Sequence, residues 1–210
     1  DGLDEGLRLE REQRALASAA AEATGNQLAI SLESLAQTAL LIDWAKVTGA
    51  EAQGGLRLLC SQSAAVVAAT LVDPHRPELS PLVDDLEGRP EIKVSRDVLA
   101  RLLPLQKLAT WGQRGQVALG SVQDSAGGPW MPAAIQVGPQ GPQAPMVVLA
   151  LTLTVLDGWL IEHSPSPSAL EIVDGDGRVV ASSLGHRQIL ALEMDRLAAV
   201  RAGLESATSA

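Results

Sequence analysis

The run APMVVLALTLTV at residues 144–155 limits the possible folds most strongly, because apolar residues occupy successive positions in it. A strand tolerates this pattern only where both of its faces are covered. The apolar stretch is about half the length of a membrane-spanning helix, and it contains two threonines. We therefore expect it to be the central strand of a sheet that is buried on both faces.

Further strands are predicted before this run. Residues 63–73 (SAAVVAATLVD) alternate in character and are rich in β-branched residues, as strands are. Residues 116–123 and 129–138 are short apolar runs, and the turn-forming sequences DSAGG and GPQGPQ follow them. Connections of this kind are typical of hairpins, so the pattern indicates an antiparallel sheet.

The segment EIVDGDGRVVASS (171–183) predicts two more strands joined by a tight turn, because Asp-Gly-Asp-Gly supplies residues that adopt positive φ angles. Asp174 and Asp176 are also spaced like the start of a calcium-binding EF-hand loop. That loop would need oxygen ligands where Arg178 and Gly185 stand. The hairpin interpretation is therefore preferred, and no metal site is predicted.

Residues 3 to about 48 predict one long helix, since they contain no proline and are rich in alanine and leucine. Apolar residues in its second half are spaced like the seam of a coiled coil: Leu28, Leu32, Leu35, Ala39 and Ile42. Either two copies pair through this seam as a stalk, or the helix packs on its own domain from about Gln27 onward. Gly49, Gly54 and Gly55 are expected to end or break the helix.

The remaining segments complete an α+β architecture. Residues 95–109 predict a short helix, a second short helix is expected near 156–163, and residues 187–210 predict a C-terminal helix. We expect a long N-terminal helix followed by an antiparallel sheet of about five or six strands with covering helices. The predicted organisation is a stalk or dimerisation helix at 1–50, the sheet domain at 51–186 and the C-terminal helix at 187–210.

Composition excludes several classes of function. The chain has 16 basic and 25 acidic residues and no basic cluster, so nucleic acid is not an expected partner. Cys60 is the only cysteine, which rules out an intrachain disulfide. Four tryptophans but no phenylalanine or tyrosine are present, so the core must consist of leucine, valine, alanine and isoleucine.

No sequence pattern typical of catalysis is found. His75, His163 and His186 lie far apart, without the spacing that places two imidazoles on one helical face. The chain also lacks a GxSxG nucleophile turn and a glycine-rich phosphate loop. We therefore expect neither enzymatic activity nor a cofactor.

The order of these motifs resembles the Cache domain, the PAS-like extracytoplasmic sensor module of bacterial chemoreceptors, histidine kinases and cyclic-dinucleotide enzymes. The resemblance covers the long N-terminal helix and roughly residues 60–185. Its turn and strand motifs correspond here to Gly127 with Trp130, Gly138 to Gly141, Val147 to Leu156, and Asp174 to Ser182.

The resemblance implies a ligand pocket on the sheet, beneath the helix and loop of residues 95–115. The residues that it places at the pocket are Trp111, Arg114, Trp130, Gln136 and Thr152. Members that bind amino acids carry an aspartate at the position of Thr152, so their ligand specificity should not be transferred to this chain. Arg114 is suited to pairing with a carboxylate, and the alternative is an exposed loop arginine beside a core tryptophan.

Two functional interpretations follow from the resemblance. The chain is either a periplasmic or extracellular module of an inner-membrane signalling protein that binds a small molecule, or a structural or interaction domain that retained the sensor fold without a ligand. In the first case we expect a homodimer through the N-terminal helices. A start at Asp1 without an initiator methionine suggests an excised segment, so membrane spans are expected only in flanking sequence.

Overall fold

The computed structural model describes residues 2–79, 82–84, 94, 98–99, 114–123, 128–139, 144–163, 170–173 and 179–183. The chain divides into two compact units. Residues 31–155 form one of them, here called the sheet unit. Residues 1–30 together with 156–210 form the other, here called the hairpin unit.

The long N-terminal helix is present as α1, Gly2–Leu40, so it ends earlier than residue 48. Its last carbonyls are taken by side chains: the Trp44 indole Nε1 donates to the Ala39 oxygen at 2.7 Å. Helix termini leave such carbonyls without a partner in the helix, and this contact fixes where α1 stops. Within the part of the chain that is described, no helix combines the length and apolarity that crossing a bilayer requires.

A second helix, α2 (Gly49–Gln62), follows where the glycines were expected to break the helical pattern. Thr48 caps it: the Thr48 Oγ1 accepts from the Glu51 amide at 3.4 Å, and the Glu51 carboxylate accepts from the Thr48 amide at 2.8 Å. The hydrogen bond from the Thr48 amide lowers the pKa of Glu51. Gly55 lies inside α2 because a Cβ there would come within 2.8 Å of Ile42 Cδ1. The prediction that Gly54 and Gly55 break the helix is therefore wrong.

The main sheet is antiparallel and has five strands in the described residues, in the order β2-β1-β5-β4-β3. The strands are β1 (Val66–Val72), β2 (Leu82–Asp84), β3 (Val117–Leu119), β4 (Trp130–Gln136) and β5 (Met146–Thr152). The predicted strand at 144–155 is central, as expected from its apolar character on both faces. The α+β class and the antiparallel sheet are confirmed.

The register assigns the side chains of the three middle strands to two sides of the sheet, one of which includes Ala68, Ala134 and Ala150. Residues directly opposite each other in antiparallel strands point to the same side, and Thr70 pairs with Val148, which pairs with Ala134. The first side, here called the small-residue face, consists of Ala68, Thr70, Val72, Trp130, Pro132, Ala134, Gln136, Met146, Val148, Ala150 and Thr152. The opposite face carries larger aliphatic residues, including Leu71, Ile135, Leu149 and Leu151, and is buried as well.

Both faces contribute to the core of the sheet unit. Val94 and Leu99 pack against the small-residue face, in a cluster with Ala68, Ala134 and Val148. Helix α2 packs on β1 and β2 and buries Leu56 and Leu59 completely. The burial of these apolar side chains is the main source of stability for the sheet unit.

The seam predicted on α1 lies partly in this core. Leu35 is 1% exposed and Leu32 is 7% exposed within a single chain, and Ala39 is fully buried. These side chains are therefore not free to pair with a second copy. The prediction that they form a dimer interface is wrong, and the alternative of packing within the chain is correct for them.

The hairpin unit contains most of helix α3 (Thr154–His163) and the strands β6 (Glu171–Val173) and β7 (Val179–Ser182), which pair antiparallel. The predicted hairpin is thus present, but it forms a two-stranded sheet of its own instead of extending the main sheet. Asp157 ties α3 to β7, since its Oδ1 accepts from the Ser182 amide at 2.8 Å. Two predicted segments lie outside the described residues, namely the turn at 174–178 and the helix at 187–210. Of the helix predicted at 95–109, only Val98 and Leu99 are described, and both are helical.

Candidate functional site

Three of the five predicted site residues lie on the small-residue face. Trp130 and Thr152 are directly opposite each other at one end of it, and Gln136 is opposite Met146 at the other end. All three are buried, with exposed fractions of 4% or less. The strand pairing of β4 with β5 therefore brings Trp130 and Thr152 together, whereas Gln136 lies at the opposite end of the same face.

The end with Trp130 and Thr152 is hydrogen-bonded within the protein. The Trp130 backbone exchanges two hydrogen bonds with Gln123, at 2.7 and 2.9 Å. The Thr152 Oγ1 lies 2.9 Å from the Thr154 Oγ1, and the Thr152 amide donates to the Ala65 oxygen at 2.8 Å. The Thr152 hydroxyl is thus already engaged, and it carries no charge to hold an ammonium group.

Gln136 has one amide atom that is engaged and one that is not. Its Nε2 donates to the Pro139 oxygen at 3.4 Å. Its Oε1 is buried and has no hydrogen-bond partner among the described residues. A buried polar atom without a partner is unusual in a folded protein, and it costs about 1–3 kcal/mol.

Thr70 is a second such residue, and sequence reasoning did not identify it. It is fully buried, and its Oγ1 has no hydrogen-bond partner in the described part of the chain. A single threonine within VVAATLV fits a strand on propensity alone, so only its position on the small-residue face distinguishes it. The face therefore holds two buried polar atoms that a bound molecule could satisfy.

Arg114 lies at the start of the β3 region and is exposed. Its Nη2 donates to the Leu40 oxygen at 3.3 Å, at the end of α1. The adjacent Gly115 has a φ angle of +88°, and a Cβ there would come within 2.8 Å of Leu40 Cδ1. The hydrogen bond to Leu40 makes Arg114 a cap on the C-terminus of α1. Trp111 lies outside the described residues.

The small-residue face carries few polar groups. Its side chains on the three middle strands are uncharged, and their polar groups are two threonine hydroxyls, one carboxamide and the Trp130 indole N–H. On the neighbouring strand β2, Asp84 lies directly opposite Ala68 and therefore on the same side of the sheet.

An ion pair between the half-buried Arg76 and the buried Asp73 does occur in the sheet unit, where Arg76 Nε lies 2.9 Å from Asp73 Oδ2. Arg76 also donates to the Trp44 and Val47 oxygens, so this pair holds the α1–α2 connection. No group of three or more potential metal ligands occurs among the described residues.

Comparison with known proteins gives no match at the level of sequence: neither a protein-family model nor a curated protein matches the chain. Solved structures do match it. The first is the sensory domain of the Campylobacter jejuni chemoreceptor Tlp3 with isoleucine bound, at TM-score 0.54 and 10% identity, over 88% of this chain and 74% of that one.

Two further structures extend the likeness. A methyl-accepting chemotaxis protein X matches at TM-score 0.60 and 15% identity, over 95% of this chain and 84% of its own. The extracellular domain of mmHK1S-Z2, a protein assigned as a histidine kinase, matches at TM-score 0.53 and 13% identity, over 80% and 68% of the two chains. The chain thus has the fold of the extracellular sensory domains of chemoreceptors and histidine kinases, as the resemblance to the Cache domain predicted.

Proposed function

We propose that the chain is an extracytoplasmic sensor domain that binds a small molecule against the small-residue face. The observation that carries this proposal is the presence of two buried polar atoms without partners, Thr70 Oγ1 and Gln136 Oε1, on one face of a sheet with a sensory-domain fold. A ligand with matching hydrogen-bonding groups would remove the free-energy cost that these atoms impose on the unoccupied protein. Trp130 and Thr152 lie at the opposite end of the face from Gln136. They are proposed as ligand contacts from the resemblance alone, as are Trp111 and Arg114.

The test is a thermal-shift screen of a broad library of small metabolites against the 210-residue chain. A ligand present at about 100 times its Kd stabilises the folded state by about 2.7 kcal/mol. For a domain of this size that corresponds to a rise in Tm of roughly 5–10 °C.

Alanine methyl groups allow the bound face to be identified. Ala68, Ala134 and Ala150 lie on the small-residue face, whereas Ala69 and Ala133 lie on the opposite face and are buried equally well. In a chain labelled with ¹³C at alanine methyls, a ligand should shift the first three NMR signals and leave the other two in place. A compound that shifts only Ala69 and Ala133 would contradict the proposed location.

A second candidate function is a structural or interaction domain without a ligand. It is favoured by the complete burial of Ala68, Ala134 and Ala150, which form a packed apolar cluster with Val94 and Leu99. No stabilising compound in the screen would support this alternative. In neither case do we expect enzymatic activity.

Homodimerisation is proposed through a part of α1 other than the predicted seam. Leu9, Leu16 and Ile30 are 44–62% exposed, and they are separated by seven and fourteen residues, a multiple of the coiled-coil repeat. Sedimentation velocity should detect weak dimers that dissociate when Leu16 and Ile30 are both replaced by Glu. A wild-type chain that remains monomeric at millimolar concentration would refute the proposal.

The location is proposed to be the periplasmic or extracellular side of a bacterial inner membrane, in a chemoreceptor, histidine kinase or cyclic-dinucleotide enzyme. Support comes from mmHK1S-Z2, whose matching domain is described as extracellular. Alkaline phosphatase fused within residues 187–210 of the full-length protein should be active, since that enzyme requires export. An inactive fusion that is stably expressed would place the domain in the cytoplasm.

A further inference from the structure

We propose that Arg114 couples the end of strand β4 on the small-residue face to the C-terminal end of helix α1. A displacement of Gln136 would reach Leu40 through the backbone hydrogen bonds that join Gln136 to the residues after Arg114. The use of this coupling in signalling rests on the proposed function, whereas the coupling itself can be measured in the chain without a ligand.

The two residues with unsatisfied side-chain atoms lie near the same end of the main sheet. Strands β1 and β4 are both antiparallel to β5, so they run parallel to each other. Their last residues, Val72 and Gln136, are both paired with Met146. Gln136 therefore lies at this end of the sheet, and Thr70 lies one two-residue step away from it.

At this end, β4 is tied to the segment that precedes β3. The Gly115 amide donates to the Gln136 oxygen at 2.8 Å, and the Gln136 amide donates to the Gln116 oxygen at 3.1 Å. These two bonds fix the backbone next to Arg114 on the backbone of Gln136. A shift of Gln136 is therefore passed to Arg114.

The same segment contacts the last residue of α1. Arg114 Nη2 donates to the Leu40 oxygen at 3.3 Å. A Cβ on Gly115 would lie 2.8 Å from Leu40 Cδ1, so the backbone here packs directly against the Leu40 side chain. Because the packing leaves no space for a larger residue, a small displacement of the segment alters the position of Leu40.

The end of α1 is held more firmly on its other side. Arg76 bonds to the Asp73 carboxylate at 2.9 Å and also donates to the Trp44 and Val47 oxygens. Arg114 is exposed, and in the described part of the chain its hydrogen bond to α1 is the one to Leu40. A single exposed hydrogen bond opens more readily than several half-buried ones. Arg114 is therefore the contact that can be released while Arg76 stays in place.

Hydrogen exchange in the 210-residue chain without a ligand tests the coupling. The reporter is the Trp44 indole N–H, which donates to the Ala39 oxygen in the last turn of α1. Gln136→Met removes the unsatisfied Oε1, which a bound molecule would satisfy by donating to it. The resulting stabilisation of the end of β4 should slow exchange at Trp44 by about threefold or more. In an Arg114→Met background, the same substitution should change this rate by less than about 1.5-fold.

Dependence on Arg114 distinguishes coupling from a general change in stability, because independent effects add and are therefore the same in both backgrounds. Gln123→Met is the matched control. It makes the same substitution at the opposite end of β4, where Gln123 pairs with Trp130. Its effect on exchange at Trp44 should be equal in the two backgrounds within about 1.5-fold. Circular dichroism establishes that every variant is folded.

Arg114→Met alone provides a second measurement, which does not require a substitution in the core because Arg114 is exposed. Releasing the contact should accelerate exchange at both the Trp44 indole and the Gln136 amide by about three- to tenfold. Lys46→Met is the control for loss of a nearby cation, since Lys46 pairs with Asp43 at 2.8 Å. It should leave both rates within about twofold of the wild type.

The results decide the inference in either direction. Slower exchange at Trp44 that requires Arg114 supports the coupling. An equal effect of Gln136→Met with and without Arg114, or an Arg114→Met variant in which the Gln136 amide exchanges at the wild-type rate, overturns it. Neither result bears on the metabolite screen, which decides separately whether the domain binds a small molecule.

Discussion

Replacing Thr70 by valine should stabilise the protein, which is the reverse of the usual effect of a core substitution. Thr70 is fully buried, and its Oγ1 has no hydrogen-bond partner among the described residues. An unsatisfied buried hydroxyl costs about 1–3 kcal/mol, and a methyl group of the same shape removes that cost. Valine also suits a strand at least as well as threonine does.

We expect the Thr70→Val variant to gain about 1–2 kcal/mol in free energy of unfolding. At about 2–4 °C per kcal/mol for a chain of this size, Tm should rise by roughly 2–8 °C. Urea unfolding followed by tryptophan fluorescence measures the change, because Trp44 and Trp130 both lie in the sheet unit with Thr70. An unchanged m-value would show that the gain belongs to the folded state.

Thr152→Val provides the matched control. Thr152 is 1% exposed and lies on the same face, but its Oγ1 bonds to the Thr154 Oγ1 at 2.9 Å. Removing this partner should destabilise the protein by about 1 kcal/mol, since it leaves the Thr154 hydroxyl without its bond. If Thr70→Val were destabilising to the same degree as Thr152→Val, then Thr70 has a hydrogen-bond partner and the reasoning about this face fails.

Three further predictions concern the helices and the hairpin. Leu35→Ala should lower the free energy of unfolding in urea by roughly 2–5 kcal/mol, because Leu35 is 1% exposed. The control, Ile30→Ala on the same helix, is at a position that is 62% exposed and should cost less than about 0.5 kcal/mol. Equal effects of the two substitutions would contradict the burial of the seam. Thr48→Ala should cost about 1 kcal/mol by removing the cap of α2. Hydrogen bonds from Thr48 lower the pKa of Glu51 in the folded state. The stabilisation from Glu51 is therefore present above the pKa of Glu51 in the unfolded chain, and it is lost as the pH falls through the pKa of Glu51 in the folded protein. The difference in stability between wild type and Glu51→Gln should vanish at low pH. Asp157→Ala should cost about 1–3 kcal/mol and speed hydrogen exchange at the Ser182 amide, whereas Asp157→Asn, which keeps an acceptor, should show a smaller effect on both.

The strands could be predicted from the sequence because their signals are local. An apolar run such as residues 146–152, bounded by proline and glycine turns, carries its own evidence of burial on both faces. The hairpin at 171–183 was predicted for the same reason, from its turn residues. Which sheet the hairpin joins depends on contacts far along the chain, and no local pattern carries that information.

Helix α2 was missed because its glycines have a reason that lies elsewhere in the chain. Gly55 is placed to admit the side chains of Ile42 and Trp44, and Thr48 with Glu51 supplies the cap. The capping pattern was visible in the sequence, but two consecutive glycines outweigh it when only propensity is considered. The heptad spacing of Leu28 to Ile42 was ambiguous in a similar way, because it fits packing within one chain as well as pairing of two.

Three of the site residues could be predicted only through the resemblance to a family, and Thr70 could not be predicted at all. Alternation along a strand shows which residues share a face, but it does not show what the face contacts. That Trp130, Gln136 and Thr152 share one face became clear only when the register of β4 with β5 was known. Thr70 joined them through the register of β1 with β5.

The two faces of the main sheet differ in a way that stability alone does not explain. On strand β5, Leu149 and Leu151 on one face alternate with Val148 and Ala150 on the other, so this strand buries more apolar side-chain surface on the first face. If the small-residue face served stability only, valine at position 70 and methionine at position 136 would serve it better, because both remove unsatisfied polar atoms at little change in volume. Local features that reduce stability without a compensating contact are typical of functional sites. The polar atoms of Thr70 and Gln136 therefore support the proposal that a ligand binds on this face.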